Sequence, residues 1–136
     1  MLLLPLALVL ETVLATSLVA PLTLDLVVQS RATAERGGTV AIRGTVQCSA
    51  ETVVTLEGEV VEQFGRAGAA VGTFATEVTC GTAPTPWTVI VASDSDVAFR
   101  PGFASADVQA VGFDPDTGVF TGVQSFVFLH LTRSAR

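Results

Sequence analysis

The stretch from residue 39 to 48 most constrains what this chain can fold into. Val40, Ile42, Val46 and Cys48 fall on one side of a two-residue repeat, with Thr39, Ala41, Arg43, Thr45 and Gln47 on the other. Strand side chains alternate between faces, so the stretch reads as a strand with one buried and one wet face. The same period returns at 52–63, where Val54, Leu56 and Val60 face in and Glu57 and Glu59 face out. It returns again at 70–80, where Phe74, Val78 and Cys80 share a phase against Thr73, Ala75, Glu77 and Thr79. Further runs rich in Val, Thr, Phe and Leu lie at 23–28, 87–92, 103–113 and 119–133. Turn residues punctuate them, among them Arg36-Gly37-Gly38, Phe64-Gly65-Arg66-Ala67-Gly68, Pro101-Gly102 and Asp114-Pro115-Asp116-Thr117-Gly118. Helical periodicity and internal repeats are missing. About seven short strands joined by short connections predict an all-β chain: an Ig-like antiparallel β-sandwich with Greek-key connections, or alternatively a small β-barrel.

Ahead of these runs, residues 2–10 read Leu-Leu-Leu-Pro-Leu-Ala-Leu-Val-Leu. They are too few to cross a bilayer core, which takes ~20 residues, but they match the apolar region of a signal peptide. Glu11 and Thr12 break the run, and Val13 and Ala15 place moderate or small residues at −3 and −1. A leader at 1–15 cut after Ala15 is the first expectation, ahead of cuts after Ser17 or Ala20. No Lys or Arg precedes the apolar run. An uncleaved anchor would instead hold Glu11 in hydrocarbon, at a cost of about 2.5 kcal/mol or more. Residues 21–136 then form a single exported domain, long enough to bury a real core, with no membrane span after cleavage. The expected location is extracellular or at the cell envelope.

Charge and composition exclude further classes. Seven arginines stand against thirteen acids, for a net charge of −6, and there is no Lys. That balance argues against a nucleic-acid partner, which needs a clustered basic face. Apolar residues at 49% with 15% charged exclude disorder. Lys, Asn and Tyr, whose codons are A/T-rich, are all missing, which points to a GC-rich source and removes Asn-linked glycans.

Catalytic candidates are thin. His130 is the only histidine, set among Phe and Leu, and there is no Gly-x-Ser-x-Gly elbow. Glu57, Glu59 and Glu62 could supply a carboxylate pair, but Glu57 and Glu59 read as a solvated stripe on one strand face. A non-enzyme with no catalytic residue and no cofactor is expected. Zinc would find only His130 beside the two cysteines. Asp114 and Asp116 are a weak calcium candidate, since Asp114-x-Asp116-x-Gly118 resembles the opening of a calcium loop but lacks its third carboxylate and closing Glu. Asp94-Ser95-Asp96 is a second acidic turn. Trp87 reads as a core residue or as a platform for a sugar ring. Together these define the alternative function, a carbohydrate- or calcium-dependent adhesion module.

Cys48 and Cys80 each end a strand on its inward face. An even count in an exported domain favours a disulfide, with two buried thiols as the other reading. The last strand is unusual because both its faces are apolar: Val123, Val127, Leu129 and Leu131 on one, Phe120, Phe126, Phe128 and His130 on the other. Another part of the chain covers the second face, or a homo-oligomer or protein partner docks there, with Phe126 and Phe128 as the candidate interface.

Several segments carry a family likeness. They are Gly38-Thr39-Val40, Gly44-Thr45-Val46-Gln47-Cys48-Ser49, Gly72-Thr73-Phe74, Val78-Thr79-Cys80-Gly81-Thr82, Thr85-Pro86-Trp87-Thr88-Val89 and Phe99-Arg100-Pro101-Gly102. Taken together, over roughly residues 23–135, they resemble small exported Ig-like β-sandwich proteins of high-GC Gram-positive bacteria, a family with no known activity. The resemblance implies a disulfide between Cys48 and Cys80 and brings no catalytic residue. This chain departs from the family at Phe126-Val127-Phe128-Leu129-His130-Leu131, where such proteins end in an alternating polar strand. It also carries Phe113 and Phe120 beside the 114–118 turn, where some relatives carry extra cysteines. The expected function is an exported, non-enzymatic module with a binding or structural role.

Overall fold

The computed structural model describes residues 20–134; the leader expected at 1–15 lies outside the described residues. Eight strands account for most of the chain: β1 (Leu24–Val28), β2 (Arg31–Ala34), β3 (Val40–Cys48), β4 (Thr52–Gln63), β5 (Ala69–Cys80), β6 (Thr85–Val91), β7 (Gly102–Asp114) and β8 (Val119–Arg133). A single 3-10 turn, Gly65–Ala67, bridges β4 and β5. No helix among the described residues is long and apolar enough to cross a membrane.

One hydrogen-bonded path runs β1-β3-β2-β8-β7-β4-β5, with β6 also paired to β3. The path folds over at β2. This strand pairs antiparallel with β3 through Thr33–Ala41 and Ala34–Val40, and parallel with β8 from Arg31–His130 to Ala34–Arg133. It thereby joins a β1-β3-β6 layer to a β8-β7-β4-β5 layer. On the far side β5 and β6 run close without a ladder among the described residues, so the sheet stays open as a sandwich rather than closing into a barrel. Closeness there depends on Gly72, where an added Cβ would strike the Ala92 carbonyl.

The described residues form eight strands, close to the expected seven or so; the sandwich differs from an all-antiparallel one at a single pairing, β2 with β8, which is parallel. Arg31-Ala32-Thr33-Ala34 is short and half alanine, a residue depleted in strands. It is held extended by partners far away in sequence. A jog at Gln29 and Ser30 separates it from β1, where the His130 N–H donates to the Ser30 carbonyl (2.7 Å).

The core lies between the layers. Val40, Ile42 and Val46 of β3 meet Val54, Leu56 and Val60 of β4, Val108 of β7 and Leu129 and Leu131 of β8, all essentially inaccessible. Cys48 and Cys80 are bonded to each other, with Cα atoms 5.7 Å apart. The bond ties the end of β3 in one layer to the end of β5 in the other, and the Cys48 N–H donates to the Gly81 carbonyl beside it (2.8 Å). Removing a crosslink between cysteines 32 positions apart relaxes the unfolded chain. A Cys48→Ser/Cys80→Ser double variant should therefore lose about 3.5–4 kcal/mol in urea unfolding. Alkylation mass spectrometry on the parent should find no free thiol.

Candidate functional site

The feature that sets this sandwich apart is the outer face of β7 and β8. Their register, from Gly102–Leu131 to Asp114–Val119, places outward side chains side by side. At one end Phe103 lies opposite His130 with the rings stacked 5.0 Å apart, and Phe128 stands next to them opposite Ser105. Phe126 meets Phe128 edge-on at 5.3 Å. At the other end Phe113 and Phe120 pack against each other at 5.1 Å, beside Val119. Exposure of these five phenylalanines runs from 41% at Phe113 to 77% at Phe103. Between the ends the face is polar. Asp107 and Gln109 lie in register with Glu59 and Glu57 of β4, and the Gln124 amide donates to Asp107 Oδ1 (2.7 Å).

The apolar outer face of β8 is therefore uncovered by any of the described residues. The inward face explains which side was buried. Leu129 sits opposite Ala104, Val127 opposite Ala106 and Val123 opposite Ala110. Medium side chains over alanines fill a thin core layer, and a phenylalanine row would overfill it. The aromatic row consequently points out.

Other candidate residues are placed less openly. Trp87 is buried, its ring lying over Gly44, where a Cβ would come within 2.6 Å of it. The indole Nε1 has no hydrogen-bond partner among the described residues. A buried ring has no free face for a sugar, so Trp87 is a core residue and the stacking platform is corrected. His130 is exposed, stacked on Phe103 and in register with Arg31. Glu57 and Glu59 are on the outer face, but Glu62 points inward and is buried.

Asp114 is also buried and works inside the fold. Its Oδ2 accepts the Leu22 N–H and its Oδ1 accepts the Asp116 N–H, both at 3.0 Å. One carboxylate thus fixes the β7–β8 turn and docks the chain entering β1. Asp116 sits in the same turn, yet no three His, Cys, Asp or Glu side chains among the described residues come together as a metal-binding group. In the other acidic turn, the Ser95 hydroxyl donates to the Ala69 carbonyl (2.8 Å) and the Thr73 hydroxyl to Asp94 (3.4 Å). Both turns are held by protein donors.

The two buried carboxylates respond to pH with opposite sign. The Leu22 N–H, with those of Asp116 and Thr117, holds the Asp114 carboxyl below its ordinary 3.8. Its contribution is present above 3.8 and lost as pH falls through the lowered native value. Burial pushes the Glu62 carboxyl above its ordinary 4.5, against the opposing pull of the Arg100 N–H and guanidinium. Native protein then binds more protons there than unfolded chain, so stability falls as pH rises from 4.5 through the raised value. Thermal unfolding across that range should show the Glu62→Gln variant without this decline. Asp114→Ala should lower Tm at neutral pH and flatten the acid limb.

No protein-family model and no curated protein matches this chain. Among solved structures it is similar to the solution structure of R. palustris CsgH, at 16% identity and a TM-score of 0.41 over 79% of this chain and 92% of that one. It is also similar to Pseudomonas fluorescens alkylpurine DNA glycosylase AlkC bound to DNA containing an abasic site analog, at 12% identity and a TM-score of 0.40. That match covers 89% of this chain and 33% of the glycosylase. Neither likeness carries a function across to this chain.

Proposed function

We propose that this chain is an exported, non-enzymatic β-sandwich module at the cell envelope or in the medium, and that it binds through the outer face of β7 and β8. The observation that carries the reading is the exposed phenylalanine row. At ~200 Å² per ring, the five exposed phenylalanines offer on the order of 600 Å² of apolar surface, at the top of what monomers tolerate as a patch. Export is supported by the Cys48–Cys80 disulfide, which persists in oxidising compartments, and by the apolar leader at 2–10.

The occupant we put first is a second copy of the chain. The phenylalanine area approaches the ~800 Å² per partner that a stable interface buries, and flanking residues supply the rest. At its two aromatic ends the face is also self-complementary. A two-fold axis across the strands, between the Asp107 and Gln109 rows, lays Phe103 over the second copy's Phe113 and His130 over its Phe120. Phe128 then comes down on the second copy's Gly122, the one outward position of β8 between Phe120 and Phe126 with no side chain. Asp107 meets Gln109, an acceptor against a donor.

Light scattering after size exclusion should report a dimer at micromolar concentration. Phe126→Ser with Phe128→Ser should give a folded monomer. Gly122→Val is the sharper probe, because a Cβ there meets only ordinary contacts at 3.5 Å within its own chain but fills the hollow that Phe128 needs. A parent that stays monomeric at every concentration would sink the second-copy reading.

A further inference from the structure

We infer that the cleft between the β2–β3 turn, the 99–102 loop and the end of β8 is a binding site for a phosphate-type dianion, held by Arg36, Arg100 and Arg133. This site lies apart from the aromatic face and does not depend on it. The cleft has a volume of about 430 Å³ and is lined by these three arginines, Glu35 and Ser134 over an apolar floor of Ala34, Phe99 and Pro101. That volume falls within the range of small-molecule sites. In a chain of net charge −6 with seven arginines and no lysine, three arginines lining one cleft are a strong local reversal of sign. The lining carries a single carboxylate, Glu35, against them.

Each arginine is delivered by a different, separately fixed piece of backbone. Arg36 sits in the turn closed by the Glu35 N–H on the Thr39 carbonyl (2.9 Å). Arg133 is the last residue of β8 in register with β2, and the Ser134 N–H donates to the Ala34 carbonyl just beyond it (3.0 Å). Arg100 is the most tightly built. Its backbone N–H donates to Oε1 of buried Glu62 (3.0 Å), and its guanidinium lies 3.8 Å from the centre of the Phe64 ring. Next to it, buried Phe99 anchors the loop in the core and donates its N–H to the Gly38 carbonyl (3.0 Å). Gly38 has φ +86 and no room for a side chain, since a Cβ would stand 2.5 Å from that of Ala98. Gly102, at φ +146, closes the other side over Glu62.

An interior carboxylate, an aromatic ring and two glycines thus set one loop that presents one arginine. Such expenditure of buried groups is not needed for a solvated surface charge. Guanidinium forks donate paired N–H groups to tetrahedral or planar oxyanions, and three of them over an apolar floor favour two negative charges over one. The ligand is therefore a doubly charged tetrahedral oxyanion: free phosphate, free sulfate or a phosphate monoester.

The test is an amide-resolved NMR titration of the full folded domain with inorganic phosphate and with phenyl phosphate, at constant ionic strength. Saturable shifts should centre on Gly38, Phe99, Arg100, Arg133 and Ser134. Saturation by phosphate alone places the free ion in the site; saturation by phenyl phosphate at lower concentration places an ester there. Arg100→Ala keeps the backbone N–H for Glu62, so the fold should persist while affinity falls about tenfold or more. Arg133→Ala should behave alike, and Arg66→Ala, outside the cleft, should change nothing. Shifts that never saturate, that sodium chloride reproduces, or that survive both Arg100→Ala and Arg133→Ala overturn the proposal.

Discussion

Strand β8 carries apolar side chains on both faces, so alternation alone does not say which face it buries. A slip of one residue would turn Phe126, Phe128 and His130 inward and Leu129 and Leu131 outward. Two things forbid that slip. The alanines of β7 leave room for medium side chains only, and the four-residue turn after Asp114 sets the pairing of β7 with β8. That turn is in its own right pinned by one buried carboxylate, which also receives the backbone of Leu22. The aromatic outer face is thus a consequence of core volume and turn geometry together.

The same economy recurs at the opposite end of the sandwich. Asp114 and Glu62 are the two buried charged residues of the described chain, one at each end of the β4-β7 pair. Each accepts a backbone N–H from a segment that runs across the end of the sheet, Leu22 in one case and Arg100 in the other. Asp114 has several such donors and holds its charge readily; Glu62 is less well supplied, and burial prevails. Between them they fix what both ends of the sandwich present.

Much of this was legible in residue order. The two-residue period at 39–48, 52–63 and 70–80, with Val-, Thr-, Phe- and Leu-rich runs between turn residues elsewhere, located seven of the eight strands within about two residues. The phase of Cys48 and Cys80 placed both sulfurs inward, and inward they are bonded. Strand β2 was not legible: its alanines and threonine state no preference, and only β3 and β8 make it a strand. Glu62 was grouped with Glu57 and Glu59, although its even number puts it in phase with Val54, Leu56 and Val60; the parity was there to read. The arginine cleft was not, since Arg36, Arg100 and Arg133 are far apart in sequence and meet only through the fold-over at β2. The segment Phe99-Arg100-Pro101-Gly102 stood out, but its buried partner lies on another strand.

Strand β2 has one more consequence. It belongs to the leading end of the chain and β8 to the trailing end, and the two run parallel. Tension applied between the two ends pulls β2 backward along its axis and β8 forward along its own. The hydrogen bonds from Arg31 to Arg133 are then loaded together, in shear, rather than opened one at a time like a zip. Load from the leading end passes first through the β1–β3 ladder and then meets this short parallel ladder, which must shear as a unit before β2 and β8 can part.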